Sequence, residues 1–91
     1  MTVRWSLQAA DDLEHIVSYI SQDNPIAARQ VGRTLYDGVG RLKDHPHSGR
    51  PGRVEGTREM VYPRLPYIAV YEVRDQVVEI LTVLHGRQRW P

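Results

Sequence analysis

His85, Arg87 and Arg89 crowd one end of the chain in the string LHGRQRWP. Histidine is the side chain whose ordinary pKa lets it exchange a proton near neutral pH, and arginine adds a fixed positive charge beside it. A titrating group at a strand end beside a fixed cation is a candidate site. His85 is therefore the first candidate for a titrating group; its plainer role is a hydrogen bond to nearby backbone. Arg50, Arg53 and Arg58 line a second string, SGRPGRVEGTR, where glycines leave the backbone open to close approach. Guanidinium forks and amide N–H groups would there meet phosphate oxygens together. Arg87 and Arg89 are the matching candidates for binding a nucleic acid or a target protein, with Trp90 beside them as an apolar contact. Each arginine has a plain alternative as a solvated surface charge.

Other residue types carry less. Tyr62 is an outlying candidate for proton transfer, whereas Tyr67 and Tyr71 read as sheet residues. His45 and His47 flank Pro46 without a third ligand close by, so no metal site is expected. The SGRPG string lacks the Gly-Lys-Ser/Thr ending of a nucleotide-binding loop, and no cofactor is expected. The chain has no cysteine, which rules out a disulfide frame or a thiolate metal site.

These groups need elements to hold them. Ala9, Leu13, Ile16, Val17 and Ile20 recur at helical spacing, with Ser6 as N-cap and Asp23-Asn24-Pro25 as the stop. Asn24-Pro25 also opens a second helix, whose apolar stripe is Ala28, Val31, Leu35, Val39 and Leu42. Two amphipathic helices on so short a joint make an antiparallel hairpin. Residues 44–56 (DHPHSGRPGRVEG) are too rich in glycine and proline for a regular element. Three strand candidates follow, at 57–62, 67–73 and 77–84, the last the most apolar and the expected centre of the sheet. Their short connections require antiparallel pairing.

With the extended segment Val3-Arg4-Trp5 in front, the order is β-α-α-β-β-β. That is an α+β fold: an N-terminal β-strand, then an antiparallel two-helix hairpin packed on an antiparallel β-sheet. Alternation along the last strand puts Glu79, His85 and Arg87 on an open face and turns Ile80 and Leu84 toward the helices. Ile16, Ile20, Leu35 and Val39 complete the expected core.

Ninety-one residues, 41% hydrophobic and 25% charged, are expected to form one globular domain spanning 1–91. The net charge of +1 conceals an uneven spread. Arg4 against Asp11, Asp12, Glu14 and Asp23 leaves residues 1–24 at −3. Six basic against three acidic side chains put residues 25–56 at +3, and five against four put residues 57–91 at +1. Arginine supplies all but one of the basic groups, which suits either a nucleic acid or an acidic protein partner. No signal-like N-terminus and no apolar run of about 20 residues is present, so a cytoplasmic location is expected. So small a domain buries only about 60–65% of its unfolded surface, and a partner protein would add stability.

Taken in order, several strings resemble the RelE/ParE superfamily of toxins from type II toxin–antitoxin systems. They are AADDLEHIVSYI, NPIAARQV, HPHSGRPGRVEGTREMV, PYIAVYEV and VEILTVLHGRQRWP, and together they span essentially the whole chain. The resemblance implies a bacterial growth inhibitor silenced by a cognate antitoxin that wraps it in a tight complex. It also implies one of two targets. RelE-like toxins cut mRNA on the ribosome, and ParE-like toxins poison DNA gyrase.

Cofactor-free RNA cleavage needs a base for the 2′-hydroxyl, a cation for the phosphorane and an acid for the leaving oxygen. RelE-like nucleases draw these from basic residues on the middle strands, an arginine early in the third strand and a tyrosine or histidine near the C-terminus. Carried over, His85, Arg87 and Arg58 would be the catalytic set. Ile68, however, stands at the third-strand arginine position, Arg58 has no run of lysines beside it, and no tyrosine follows Arg87. The ending LHGRQRWP is similar to ParE-type tails. Gyrase poisoning is thus the favoured expectation, with Arg50, Arg53, Arg87, Arg89 and Trp90 as contact residues. A ribosome-dependent mRNA endonuclease is the alternative, and a toxin fold that retains only antitoxin binding is the third reading.

Overall fold

Ser6 and Asn24 start the two helices as their side chains suggest. In the computed structural model, which describes every residue from Met1 to Pro91, Ser6 Oγ accepts from the Ala9 N–H at 3.0 Å and opens helix α1, Leu7–Ser21. Asn24 Oδ1 accepts from the Ala27 N–H at 3.0 Å, and Pro25 takes the first position of α2, Pro25–Gly40. Each cap satisfies an amide that the helix itself leaves unpaired, and proline there loses nothing because its missing N–H would be unpaired anyway. A short 3-10 turn, Arg41–Lys43, ends the hairpin.

Five strands form one sheet: β1 (Thr2–Trp5), β2 (Arg50–Pro51), β3 (Arg58–Val61), β4 (Tyr67–Arg74) and β5 (Val77–His85), in the order β1-β5-β4-β3-β2. The last three pair antiparallel, as their short connections require. β1 lies parallel to β5, so the sheet is mixed rather than wholly antiparallel. No short turn joins β1 to its neighbour, which leaves its direction free of the hairpin constraint. The glycine- and proline-rich segment, expected to hold no regular element, contributes β2, which pairs with Arg58 and Glu59 of β3. Proline fits there because at this position of an outer strand its missing N–H would face away from the ladder.

A bulge in β5 decides which residues face which way. Tyr71 of β4 pairs with Ile80, but the next residue, Val70, pairs with Thr82, and Leu81 has no partner. One extra residue in a strand reverses the facing of everything beyond it. Val78, Ile80 and Val83 therefore join the helix-side core, whereas Leu84 joins Ile68 and Val70 on the reverse face. The expectation that Ile80 and Leu84 share a side is corrected by this bulge. The same reversal takes His85 off the open face that it was expected to share with Glu79, setting it opposite Tyr67 in the helix-side row. Beyond the end of β1, α1 takes over the free edge of β5: Asp12 Oδ2 accepts from the Val83 N–H at 3.0 Å and from the Thr82 hydroxyl.

The main core gathers Leu35 and Val39 of α2, Leu42, and Tyr62, Ala69, Tyr71, Val78 and Ile80 beneath the hairpin. Leu13, Ile16 and Val31 pack on its margin, and Ile20 is half-buried near the end of α1. The reverse face holds the smaller cluster of Ile68, Val70 and Leu84, with Leu81 and Trp90 against it. No helix is long and apolar enough to cross a membrane.

Candidate functional site

Glu59 organises the basic loop. It lies in β3 on the reverse face of the sheet, opposite Val70, with only 3% of its side chain exposed. Burying a carboxylate is unfavourable unless its oxygens are fully met. Here Oε1 accepts from Nε and Nη2 of Arg50 at 3.2 and 3.0 Å. Oε2 accepts from the Arg53 N–H at 3.1 Å and sits 3.4 Å from Arg53 Nε. Arg50 and Arg53 are thus brought together, but on an acid of the protein itself. Reasoning from sequence missed Glu59; the available signal was an acid in the strand that leaves an arginine-bearing loop.

Arg53 also reaches the C-terminal tail. Its Nη1 donates to the Gln88 carbonyl at 2.8 Å and its Nη2 to the Gly86 carbonyl at 3.3 Å. The tail is a tight turn. The His85 N–H donates to Gln88 Oε1, the Gln88 N–H to the His85 carbonyl at 2.9 Å, and the Arg87 N–H to His85 Nδ1 at 3.2 Å. Trp90 then settles, half-buried, on the Ile68–Val70–Leu84 cluster. Arg87 and Arg89 remain exposed and belong to none of the ion pairs.

Arg58 lies elsewhere. Its Nη1 donates to the carbonyls of His47 and Gly49 at 3.2 and 2.8 Å. Tyr71, its partner across the sheet, pins the same loop by donating its hydroxyl to the Pro46 carbonyl at 2.8 Å and accepting from the Gly49 N–H at 2.9 Å. Arg58 registers with Tyr71 and His85 with Tyr67, so the two are separated by about 13 Å along β4. His85 packs edge-on against the Tyr67 ring. Tyr62 drops out as a proton-transfer group. It is buried, its hydroxyl donates to the Leu35 carbonyl at 2.7 Å, and burial pushes the phenol well above its usual pKa. No three His, Asp or Glu side chains converge as metal ligands.

A second surface lies on the helical side. Trp5, Ala10, Leu13, Val17 and Tyr36 line an open apolar groove of about 420 Å³, edged by Glu14 and Ser18. Trp5 and Tyr36 stack there with ring centres 6.0 Å apart. Leu7, Tyr19 and Ile26 are also left exposed on the hairpin.

The small α+β fold thus carries an apolar groove on its helical side and exposed arginines in its C-terminal tail. Residues 3–90 match the family described as ParE toxin of type II toxin-antitoxin system, parDE, and the chain belongs to that family. It is 47% identical over 90 residues to Y4kP of Sinorhizobium fredii, described as a candidate toxin, covering 98% of this chain and 92% of that one. It is 32% identical over 84 residues to toxin RelE2 of Caulobacter vibrioides, covering 92% and 93%. Among solved structures, a chain of the chromosomal ParDE toxin–antitoxin system of P. aeruginosa superposes with a TM-score of 0.86 at 26% identity, covering 93% of this chain and 95% of that one. A chain of the RelBE2 toxin–antitoxin complex of Mycobacterium tuberculosis superposes with a TM-score of 0.60 at 27% identity, covering 92% and 88%. The protein is thus a toxin of the RelE/ParE superfamily.

Proposed function

We propose that this toxin acts by binding rather than by cleaving, that its target is DNA gyrase, and that Arg87 and Arg89 of the tail are contact residues. One observation carries the choice. Of the set that a nuclease would need, Arg58 is held by the His47 and Gly49 carbonyls about 13 Å along β4 from His85, and His85 is bonded within the tail turn, which leaves Arg87 alone free. General acid–base catalysis needs its groups within about 3 Å of the reacting oxygens, whereas a binding inhibitor needs only a displayed surface. The closer superposition on the ParDE chain than on the RelBE2 chain, 0.86 against 0.60, supports the same side.

The neutralising partner is a cognate antitoxin acting in the cytoplasm. Both solved relatives come from toxin–antitoxin systems. The groove between Trp5, Leu13, Val17 and Tyr36 suits the apolar face of an amphipathic helix.

Purified toxin added to gyrase and plasmid should trap cleaved DNA and leave ribosome-bound mRNA intact. Arg87→Ala with Arg89→Ala should weaken growth inhibition, and His85→Ala should leave it nearly unchanged. Cuts in mRNA that require ribosomes, without gyrase-linked breaks, would replace the gyrase reading by the endonuclease one. In that case His85→Ala should slow cleavage by about 10²–10⁴.

A further inference from the structure

Arg53 joins Glu59, 6 residues further along the chain, to the C-terminal tail, which it meets 35 residues further along at Gln88. On one side are Glu59 Oε2 and the buried carboxylate behind it; on the other are the carbonyls of Gln88 and Gly86. Strand pairing ends at His85, and from Gly86 onward the backbone leaves the sheet. Arg53 is the one side chain from outside the C-terminal strand and tail that hydrogen-bonds to residues 86–91. The remaining anchors are a bond from the Gly86 N–H to the Pro66 carbonyl at 2.7 Å and the seating of Trp90 on its apolar cluster.

We propose that Arg53 is a positioning residue, locked on Glu59, that holds the C-terminal tail in the shape in which Arg87 and Arg89 meet the target. This rests on the reading of the tail as a target contact. The lock follows from geometry. Glu59 cannot swing, because Arg50 grips one of its oxygens and the Arg53 N–H the other. With Arg53 Nε drawn to that carboxylate, the planar guanidinium is oriented, and its two terminal nitrogens point at the tail carbonyls. A lysine supplies a single ammonium on a flexible stem and cannot serve a carboxylate and two carbonyls in one plane. A tail without this clasp would have to be ordered at the moment of binding, and that cost lowers the apparent affinity.

The test compares Arg53→Ala, Arg53→Lys and the tail variants Arg87→Ala and Arg89→Ala with the parent chain. Acrylamide quenching of Trp90 is measured in a Trp5→Phe background, which leaves one tryptophan of the two. Growth inhibition is scored in the native background, and thermal unfolding checks that each variant is folded. Arg53→Lys keeps a cation beside Glu59, so it reports on the tail even if Arg53→Ala unfolds. Both Arg53 variants should make Trp90 more quenchable well below the unfolding temperature, and weaken growth inhibition by about tenfold, the scale of losing charge-assisted bonds. A merely structural role would shift the unfolding temperature without freeing Trp90 in the folded Arg53→Lys chain. Trp90 still protected in that variant overturns the proposal. So does full growth inhibition in the Arg53 variants while Arg87→Ala or Arg89→Ala loses it, which leaves the tail reading standing. Full inhibition in all four variants removes the tail reading, and the clasp's role in targeting with it.

Discussion

Tyr62 shows how one buried hydroxyl constrains its neighbours. Its ring fills the space above Gly38, where a Cβ would come within 2.5 Å of Cε1. Alanine is the better helix former by about 1 kcal/mol, but here the ring cannot retreat without losing its bond to the Leu35 carbonyl. The glycine in α2 is therefore a packing residue. The phenol has its own consequence. Its pKa is raised in the folded chain above the usual phenol value, mainly by burial. In the unfolded chain the same phenol ionises near pH 10, so stability present below that pH is lost as pH rises above it. Tyr62→Phe should cost about 1 kcal/mol at neutral pH through the lost hydrogen bond, and should flatten the fall in stability above about pH 10. Urea unfolding of both chains at pH 7 and in alkaline buffer checks this. An equal alkaline slope in the two would exclude Tyr62 as a contributor.

At the scale of the element, β4 and β5 are joined by Asp75 and Gln76 alone, with φ of +52° and +65°. Two successive positive φ values give the primed turn whose twist matches a tight hairpin. Glycine adopts that backbone without the strain that glutamine bears. Gln76→Gly should raise stability by about 0.5–1 kcal/mol, read as a higher melting temperature, because relieved strain outweighs the extra freedom of glycine in the unfolded chain. An unchanged or lower melting temperature would mean that the glutamine side chain holds the turn in some other way. The bulge at Leu81 acts over the same hairpin. Without it His85 would point to the reverse face, and the tail would leave the sheet in a different direction.

For the whole molecule, one sheet separates two unequal apolar clusters. The larger lies under the hairpin, and the smaller is roofed by Trp90. Leu35 is 1% exposed and Ile80 fully buried, and they belong to the same cluster. Leu35→Ala should cost about 2–5 kcal/mol, a large share of what a domain of this size has, and Ile80→Ala a comparable amount. Denaturant unfolding should show one cooperative transition, with the midpoint lowered in both variants. A loss below about 0.5 kcal/mol would show that the site collapses around the missing atoms and is not tightly packed.

Much of this was readable from neighbours in the chain. Ser6 and Asn24 each cap an amide three residues on, and Pro25 follows its cap at once, so the helix starts needed no distant partner. The short connections likewise dictated how β3, β4 and β5 pair. The strings that mark the family are equally local, which is why the class and the order of elements could be read from the chain itself. What went unread depends on partners far along the chain. An extra residue in a strand carries no mark in an alternating pattern, and only the ladder with β4 exposes the bulge at Leu81. Asp12 meets Val83 across 71 positions, and Arg53 meets Gln88 across 35. The sequence by itself determined which side chains could carry charge to a target. Only the tertiary structure decided which of them are free to do so, because a guanidinium already bonded to Glu59 or to a loop carbonyl must give up that bond to meet a target, even where it stays partly exposed as Arg50 does, and the Arg87 and Arg89 side chains hold no such bond.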